Sequence, residues 1–125
     1  MYEIDRIVAI VKPREKMLQW LQTNTEESEE ITLEDLRNDC TSLLLPPFDE
    51  PNDAMQFIKE HCEEIFENEL ISWDVEEQHW PTERNNFLSF SEWFDVEFHS
   101  LVFDMVEFGG EEEEESSEEE QTILQ

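Results

Sequence analysis

Glycine occurs only twice in the 125 residues, as Gly109 and Gly110. The preceding stretch must therefore make its turns without the one residue that adopts positive φ at no steric cost. A sandwich or barrel strings many short strands together through tight turns, and this scarcity argues against one. It also removes the glycine-rich phosphate cradles: the chain has no Walker pattern, no dinucleotide fingerprint and no serine in a G-x-S-x-G frame.

Hydrophobic patterning fills in the elements. Arg6-Ile-Val-Ala-Ile-Val-Lys12 is β-branched and apolar on both faces, which predicts a strand inside a sheet. Pro13 ends it and opens a helix of about ten residues with Met17, Leu18 and Leu21 on one face and Trp20 beside them. Residues 23–31 are polar and acidic and read as a mobile loop. Thr32 and Asp35 form a capping-box pair before Leu33 and Leu36, and Thr41-Ser-Leu-Leu-Leu-Pro46 is a second strand. Asn52 is placed to cap a long helix from about Asp53 to Leu70, in which Ala54, Phe57, Ile58, His61/Cys62, Ile65 and Leu70 keep helical spacing. Trp80-Pro81 is expected to pack a loop onto the core. Residues 87–108 fit two periods at once. Ser89 and Glu92 make a capping box, so a helix is expected over roughly 89–99 and a strand over roughly 101–107 that joins the sheet. The order implies a single α+β domain over 1–110, a small mixed β-sheet packed against helices. Residues 111–125 form a polyacidic tail, disordered by composition.

Charge bounds the partners. The chain has 35 acids against 7 bases, a net −28. The tail holds eight of the acids, so residues 1–110 keep 27 against seven bases, a net −20. Such a field repels nucleic-acid phosphates and anionic membrane surfaces, and it attracts basic proteins or cations. Aromatic residues at 11%, among them Trp20, Trp73, Trp80 and Trp93, supply enough apolar surface to offset the entropy of ordering. Met-Tyr-Glu-Ile-Asp at the start has neither a basic n-region nor an apolar h-region, and no apolar run reaches spanning length. Cys40 and Cys62 lack CxxC spacing and read as reduced thiols, which places the chain in the cytoplasm.

Few residues suggest chemistry. Glu76-x-x-His79 has carboxylate–histidine metal spacing, but such sites need the motif twice on packed helices, so no metal is assigned. His61 and Cys62 are adjacent in a helix and point about 100° apart, which reads as packing rather than a nucleophile with its base. Cys40 follows Asp39, and an acidic neighbour raises a thiol pKa. Arg6, Lys12, Arg14 and Lys16 lie close together; they would either hold an anion at the first helix or, the better reading, offset the acidic field. Trp93, Asp95 and His99 mark the densest mixture of aromatic and polar groups, with Asp95 and His99 at i, i+4 if the segment is helical. They form the candidate pocket, against a plainer reading as hydrogen-bonding ties. Ser116 and Ser117 sit before acids, a context that suits acidophilic kinases, though a solubilising role accounts for the tail. No cofactor is expected.

Trp93-Phe94-Asp95-Val96-Glu97-Phe98-His99-Ser100-Leu101-Val102, with Thr32-Leu-Glu-Asp-Leu-Arg37 and the Pro-Phe-Asp-Glu of 47–50, resembles a group of small acidic bacterial hypothetical proteins. These share a Val-Ala-x-Val-x-Pro start and a Trp-Phe-Asp-x-Glu-x-His-Ser ending. The likeness covers residues 4–107. The group has no assigned activity, so the resemblance implies a bacterial cytosolic protein and supplies no catalytic residues.

Three functions compete. The first is a non-enzymatic binding or regulatory module whose acidic face, Asp53, Glu60, Glu63, Glu64 and Glu67, engages a basic protein, in one version by mimicking nucleic acid. The second is a small enzyme or metal-binding protein built on the Asp95/His99 region. The third is an oligomeric structural protein with exposed tryptophans as the dimer face; the oligomeric state itself is left open as monomer or homodimer. No direct nucleic-acid or membrane contact is expected. The net −20 of residues 1–110 strains the compact state by self-repulsion, so salt should raise the melting temperature between low and moderate ionic strength. A flat melting temperature over that range contradicts this.

Overall fold

The computed structural model describes residues 1–26 and 30–106. Its elements run β1 (Tyr2–Ile4), β2 (Ile7–Pro13), α1 (Glu15–Asn24), α2 (Leu33–Asn38), β3 (Thr41–Leu45), α3 (Pro51–Glu60), α4 (Cys62–Ile71), a 3₁₀ turn (Glu77–His79), α5 (Phe87–Trp93), β4 (Phe94–His99) and β5 (Val102–Asp104). This is a small α+β single domain. The tail 111–125 and its boundary at Gly109–Gly110 lie outside the described residues, as does part of the expected 23–31 loop.

β2 is the middle strand of a sheet ordered β3–β2–β4, the interior place its two apolar faces predict. Both pairings are antiparallel, so the expected mixed sheet is corrected among the described residues. The pleat sends Ile7, Ala9, Val11 and Pro13 to one face, beside Leu45, Leu43 and Thr41 of β3 and Phe98, Val96 and Phe94 of β4. This face meets the helices. Phe66 of α4 lies at the centre, fully buried, with ring centroids 6.0 Å from Phe90, 5.2 Å from Trp93 and 5.2 Å from Phe94. Edge-on and tilted aromatic pairs of this kind add about 0.5–1.5 kcal/mol each beyond their buried area.

Five local expectations are revised. The helix over 89–99 is instead α5 ending at Trp93 and β4 from Phe94 onward. From Phe94 the alternation of Phe94, Val96 and Phe98 with Asp95, Glu97 and His99 outweighs the helical period, because β2 offers an edge to pair with. The cap is Asn86, whose carboxamide oxygen accepts from the N–H groups of Leu88 and Ser89, so Ser89 lies inside the helix. The strand expected over 101–107 is β5, which pairs with β1 in a separate two-stranded arm, a pairing nothing local foretold. Three residues on one strand and two on the other separate Ile4↔Val102 from Val8↔His99, and this offset breaks the ladder in two.

The long helix over Asp53–Leu70 is also divided, at His61. His61 has φ −115° and ψ 14°, its N–H is shared between the carbonyls of Phe57 and Ile58 at 3.2 Å, and its Nδ1 lies 2.9 Å from the Phe57 oxygen. Stacking of its ring on Phe57, centroids 4.1 Å apart, holds this conformation. The helix begins one residue before Asn52, with Pro51 at its first position and Glu50 at the cap site.

The Thr32–Asp35 capping box is present with both of its hydrogen bonds. Trp80 is half-buried, its indole N–H donating to the Val75 carbonyl at 3.0 Å. Asp74, at φ 56°, is the only described residue with positive φ. Aspartate tolerates that region better than most residues, so a glycine-poor chain can make this turn after α4.

Phe66→Ala would empty the centre of this cluster. Large-to-small changes of this type cost about 3–5 kcal/mol, a large share of the roughly 5–15 kcal/mol that holds a domain folded. Urea unfolding is expected to show a midpoint lowered by at least a third, whereas Leu88→Ala on the solvent side of α5, where Leu88 is 75% exposed, should leave it nearly unchanged.

Candidate functional site

The outer face of the sheet carries Val8, Ile10 and Lys12 from β2, Ser42 and Leu44 from β3, and Asp95, Glu97 and His99 from β4. Lys12 Nζ donates to Glu97 Oε1 at 2.8 Å across the β2–β4 pair, and His99 Nε2 lies 2.5 Å from Glu97 Oε2. An ionised carboxylate only accepts, so His99 must donate from Nε2. The bond from Lys12, then the bond from His99, hold the Glu97 carboxyl down at about 2. Asp95 stands 3.6 Å from Arg37 Nη1 and 4.0 Å from Arg14 Nε.

The same bases also bind backbone. Arg14 Nη1 donates to the Ser91 carbonyl, Arg37 Nη1 to the Pro13 carbonyl at 2.9 Å, and Lys16 pairs with Glu92 at 2.8 Å. Lys12, Arg14, Lys16 and Arg37 are therefore staples that fasten the N-terminal half to α5 and β4. For Lys12, Arg14 and Lys16 of the basic cluster this matches the charge-offsetting reading, each being taken by a carboxylate of the chain itself, while Arg6 has no ion pair among the described residues and Arg37 joins from outside the cluster.

The candidate pocket residues do not converge. Asp95 and His99 lie on a strand, four residues or about 13 Å apart with Glu97 between them, not one helical turn apart. Trp93 is buried on the other side, packed against Phe66 and Trp20. Cys62 is buried with Sγ near the Arg84 carbonyl, while the His61 ring lies on Phe57, so the two side chains do not meet. His79 closes a 3₁₀ turn at the surface, and its carbonyl accepts from the Trp20 indole at 2.9 Å. Among the described residues no three His, Cys, Asp or Glu side chains are grouped to hold a metal ion.

A cavity of about 450 Å³ opens between α2 and α4, walled by Met17, Leu36, Cys40, Thr41, Asn68 and Glu69. Burial pushes the Glu69 carboxyl up, and hydrogen bonds from Thr41 and Asn68 pull it partly back. Burial also raises the Cys40 thiol. Its Sγ faces the carbonyls of Leu36 and Arg37, so the sulfur is a protonated donor and not a poised thiolate. The Thr41–Glu69 contact had no local signal, because only the fold brings β3 beside α4.

The acidic helical face is differently disposed. Asp53, Glu60, Glu63 and Glu64 are exposed on α3 and α4, and among the described residues none of them has an ion-pair partner. Glu67, half-buried, is the exception, bound to Arg84 Nε at 3.1 Å. Lys59, the one base on these helices, sits 5.4 Å over the Phe87 ring. Each tryptophan is buried or half-buried, which corrects the expectation that exposed tryptophans furnish a dimer face.

The depressed Glu97 pKa has a defined pH signature. Its folded value lies below the 4.5 of the free side chain, so its stabilisation is present in full above about pH 4.5 and is lost as pH falls toward about 2. Glu97→Gln should therefore be less stable than the parent at pH 6, and urea midpoints of the two should converge as pH approaches 2. A constant gap across that window would contradict the pairing with Lys12 and His99.

No family model matches the chain, and no curated protein or solved structure matches it.

Proposed function

We propose that this protein is a non-enzymatic binding or regulatory module that uses the acidic face of α3 and α4 to engage a basic protein partner. The observation that carries this reading is the unequal distribution of compensation. Lys12, Arg14, Lys16 and Arg37 are taken up by carboxylates of β4 and α5 and Arg84 by Glu67, whereas Asp53, Glu60, Glu63 and Glu64 are left exposed without counter-charges among the described residues. Exposed carboxylates on two consecutive helices make a negative potential that raises the encounter rate of a basic surface. One form of this function is mimicry of nucleic acid, with carboxylates standing where phosphates would.

The setting is the cytoplasm of a bacterium, as the resemblance of residues 4–107 implies. Among the described residues no helix is long and apolar enough to cross a membrane, and both cysteines are free thiols. Asp95 and His99 support an enzymatic reading less well, because Arg14, Arg37 and Glu97 already occupy them.

The test is capture of basic proteins by the immobilised full chain. Recovery at low salt, release at high salt, and a several-fold loss for the combined Asp53→Asn, Glu60→Gln, Glu63→Gln and Glu64→Gln variant are expected. Equal capture by that variant and by one neutralised at Glu15, Glu34, Glu76 and Glu77 would move the surface elsewhere. No basic protein recovered at low salt would refute the reading.

A further inference from the structure

Among the described residues, β3 is an edge strand whose second side faces no other strand. Among the described residues, no hydrogen bond outside the β2 ladder involves the main chain of residues 42–45. Alternate N–H and C=O groups of that edge are therefore left for water or a partner. Natural edges are blunted by lysines, prolines, inward charges or bulges, but Thr41-Ser-Leu-Leu-Leu45 has none of these within it.

A groove of about 310 Å³ lies against Leu43, Leu44 and Leu45 on one side and Phe57, His61, Glu64 and Ile65 on the other. Leu43 and Leu44 are consecutive strand residues, so their side chains point to opposite faces of the sheet. A concavity touching both, and the helices as well, must run along the free edge itself. Its floor is apolar, Leu44 is 58% exposed, and its helical wall carries Glu64 next to the unpaired Glu60 and Glu63.

We infer that this edge accepts an extended basic segment of a partner protein by strand addition, pairing with the β3 main chain while its cations face the acids of α3 and α4. The inference rests on the acidic-module reading and specifies its partner as a strand with alternating basic and apolar residues. Main-chain pairing supplies affinity in such complexes, and alternate side chains supply selectivity. Charge decides the occupant. A second copy would bring another net −28 chain against the same acids, whereas a basic strand would neutralise them. The acidity thus serves two purposes at this edge: it repels self-pairing, which would otherwise invite aggregation, and it admits a cationic strand.

The experiment uses the full chain and two labelled peptides of sequence Lys-Val-Lys-Val-Lys-Val-Lys, one ordinary and one N-methylated at every amide. Their charges are equal, so attraction to the tail or to any other acidic patch contributes equally to both. The ordinary peptide is expected to bind about tenfold or more tightly and to slow amide exchange at Ser42–Leu45. Leu44→Lys, which adds an edge guard at an exposed side chain, should weaken the ordinary peptide several-fold more than Leu88→Lys, a matched charge change on α5. Thermal melts of both variants confirm that each is folded, and the peptide pair on the parent chain stands as a test without them.

Equal affinity for the two peptides with no protection at β3 would overturn strand addition while leaving the acidic-module reading intact. Failure of both peptides to bind at low salt would overturn both. Protection of Ser42–Leu45 that grows with protein concentration in the absence of peptide would place a second copy on the edge and overturn the basic-segment assignment.

Discussion

The pairing of β2 with β4 governs the rest of the structure. β2 supplies the central ladder of the sheet, and β4 brings to it the row of Phe94, Val96 and Phe98 that floors the core. Without that pairing α5 has no strand to lead into, Phe66 loses its Phe94 and Trp93 neighbours, and β5 is not carried to β1. The chain spends four of its seven cations on carboxylates of β4 and the adjoining α5. Lys12 reaches Glu97, Arg14 reaches Asp95 and the Ser91 carbonyl, Lys16 reaches Glu92, and Arg37 reaches Asp95 and the Pro13 carbonyl. Exposed pairs of this kind are individually weak. Here they also relieve repulsion where segments distant in sequence must come together, and that placement matters more than the strength of any single pair.

The remainder of the surface follows from that allocation. With four of its seven cations committed to β4 and α5, the protein has little left to neutralise α3 and α4. Lys59 lies over an aromatic ring and Arg84 is held by Glu67, the Trp80 ring and the Pro81 carbonyl. The exposed acids of these helices and the free edge of β3 are neighbours because α4 packs along β3, an arrangement tied at one end by Thr41 and Glu69. Among the described residues, the paired cations and the exposed acids thus occupy different parts of one charge distribution.

Much of the architecture was legible in the residues. Ile7 to Val11 announced an interior strand, Thr32 and Asp35 a capped helix, and Ala54 to Leu70 a helical apolar stripe. The turning point at Trp93–Phe94 was not, because Phe87, Phe90, Phe94 and Phe98 satisfy a helical period as well as Phe94, Val96 and Phe98 satisfy a strand. The availability of β2 as a partner decided between them, and no local window contains that information. The interruption at His61 was hidden for a related reason: the stripe continues across it, and only stacking on Phe57 marks the break. The acids of α3 and α4 could be named from the helical pattern, but the groove beside them depends on β3 lying at an edge, a property of topology and not of spacing.

Strand order also sets the sequence of events by which the chain becomes ordered. β3 lies some thirty residues beyond β2, whereas β4 lies more than eighty beyond it, with Val8 opposite His99. Closing the longer loop carries the larger entropic cost, and non-local pairings of this kind slow folding. The β2–β3 hairpin-like pair and the helices after it can therefore organise first, leaving one long side of β2 open until residues 94–99 arrive. During that interval both sides of the nascent sheet are unguarded edges, and the negative field of the chain keeps such intermediates apart. The acidity is in this sense a kinetic safeguard, acting before the domain is complete.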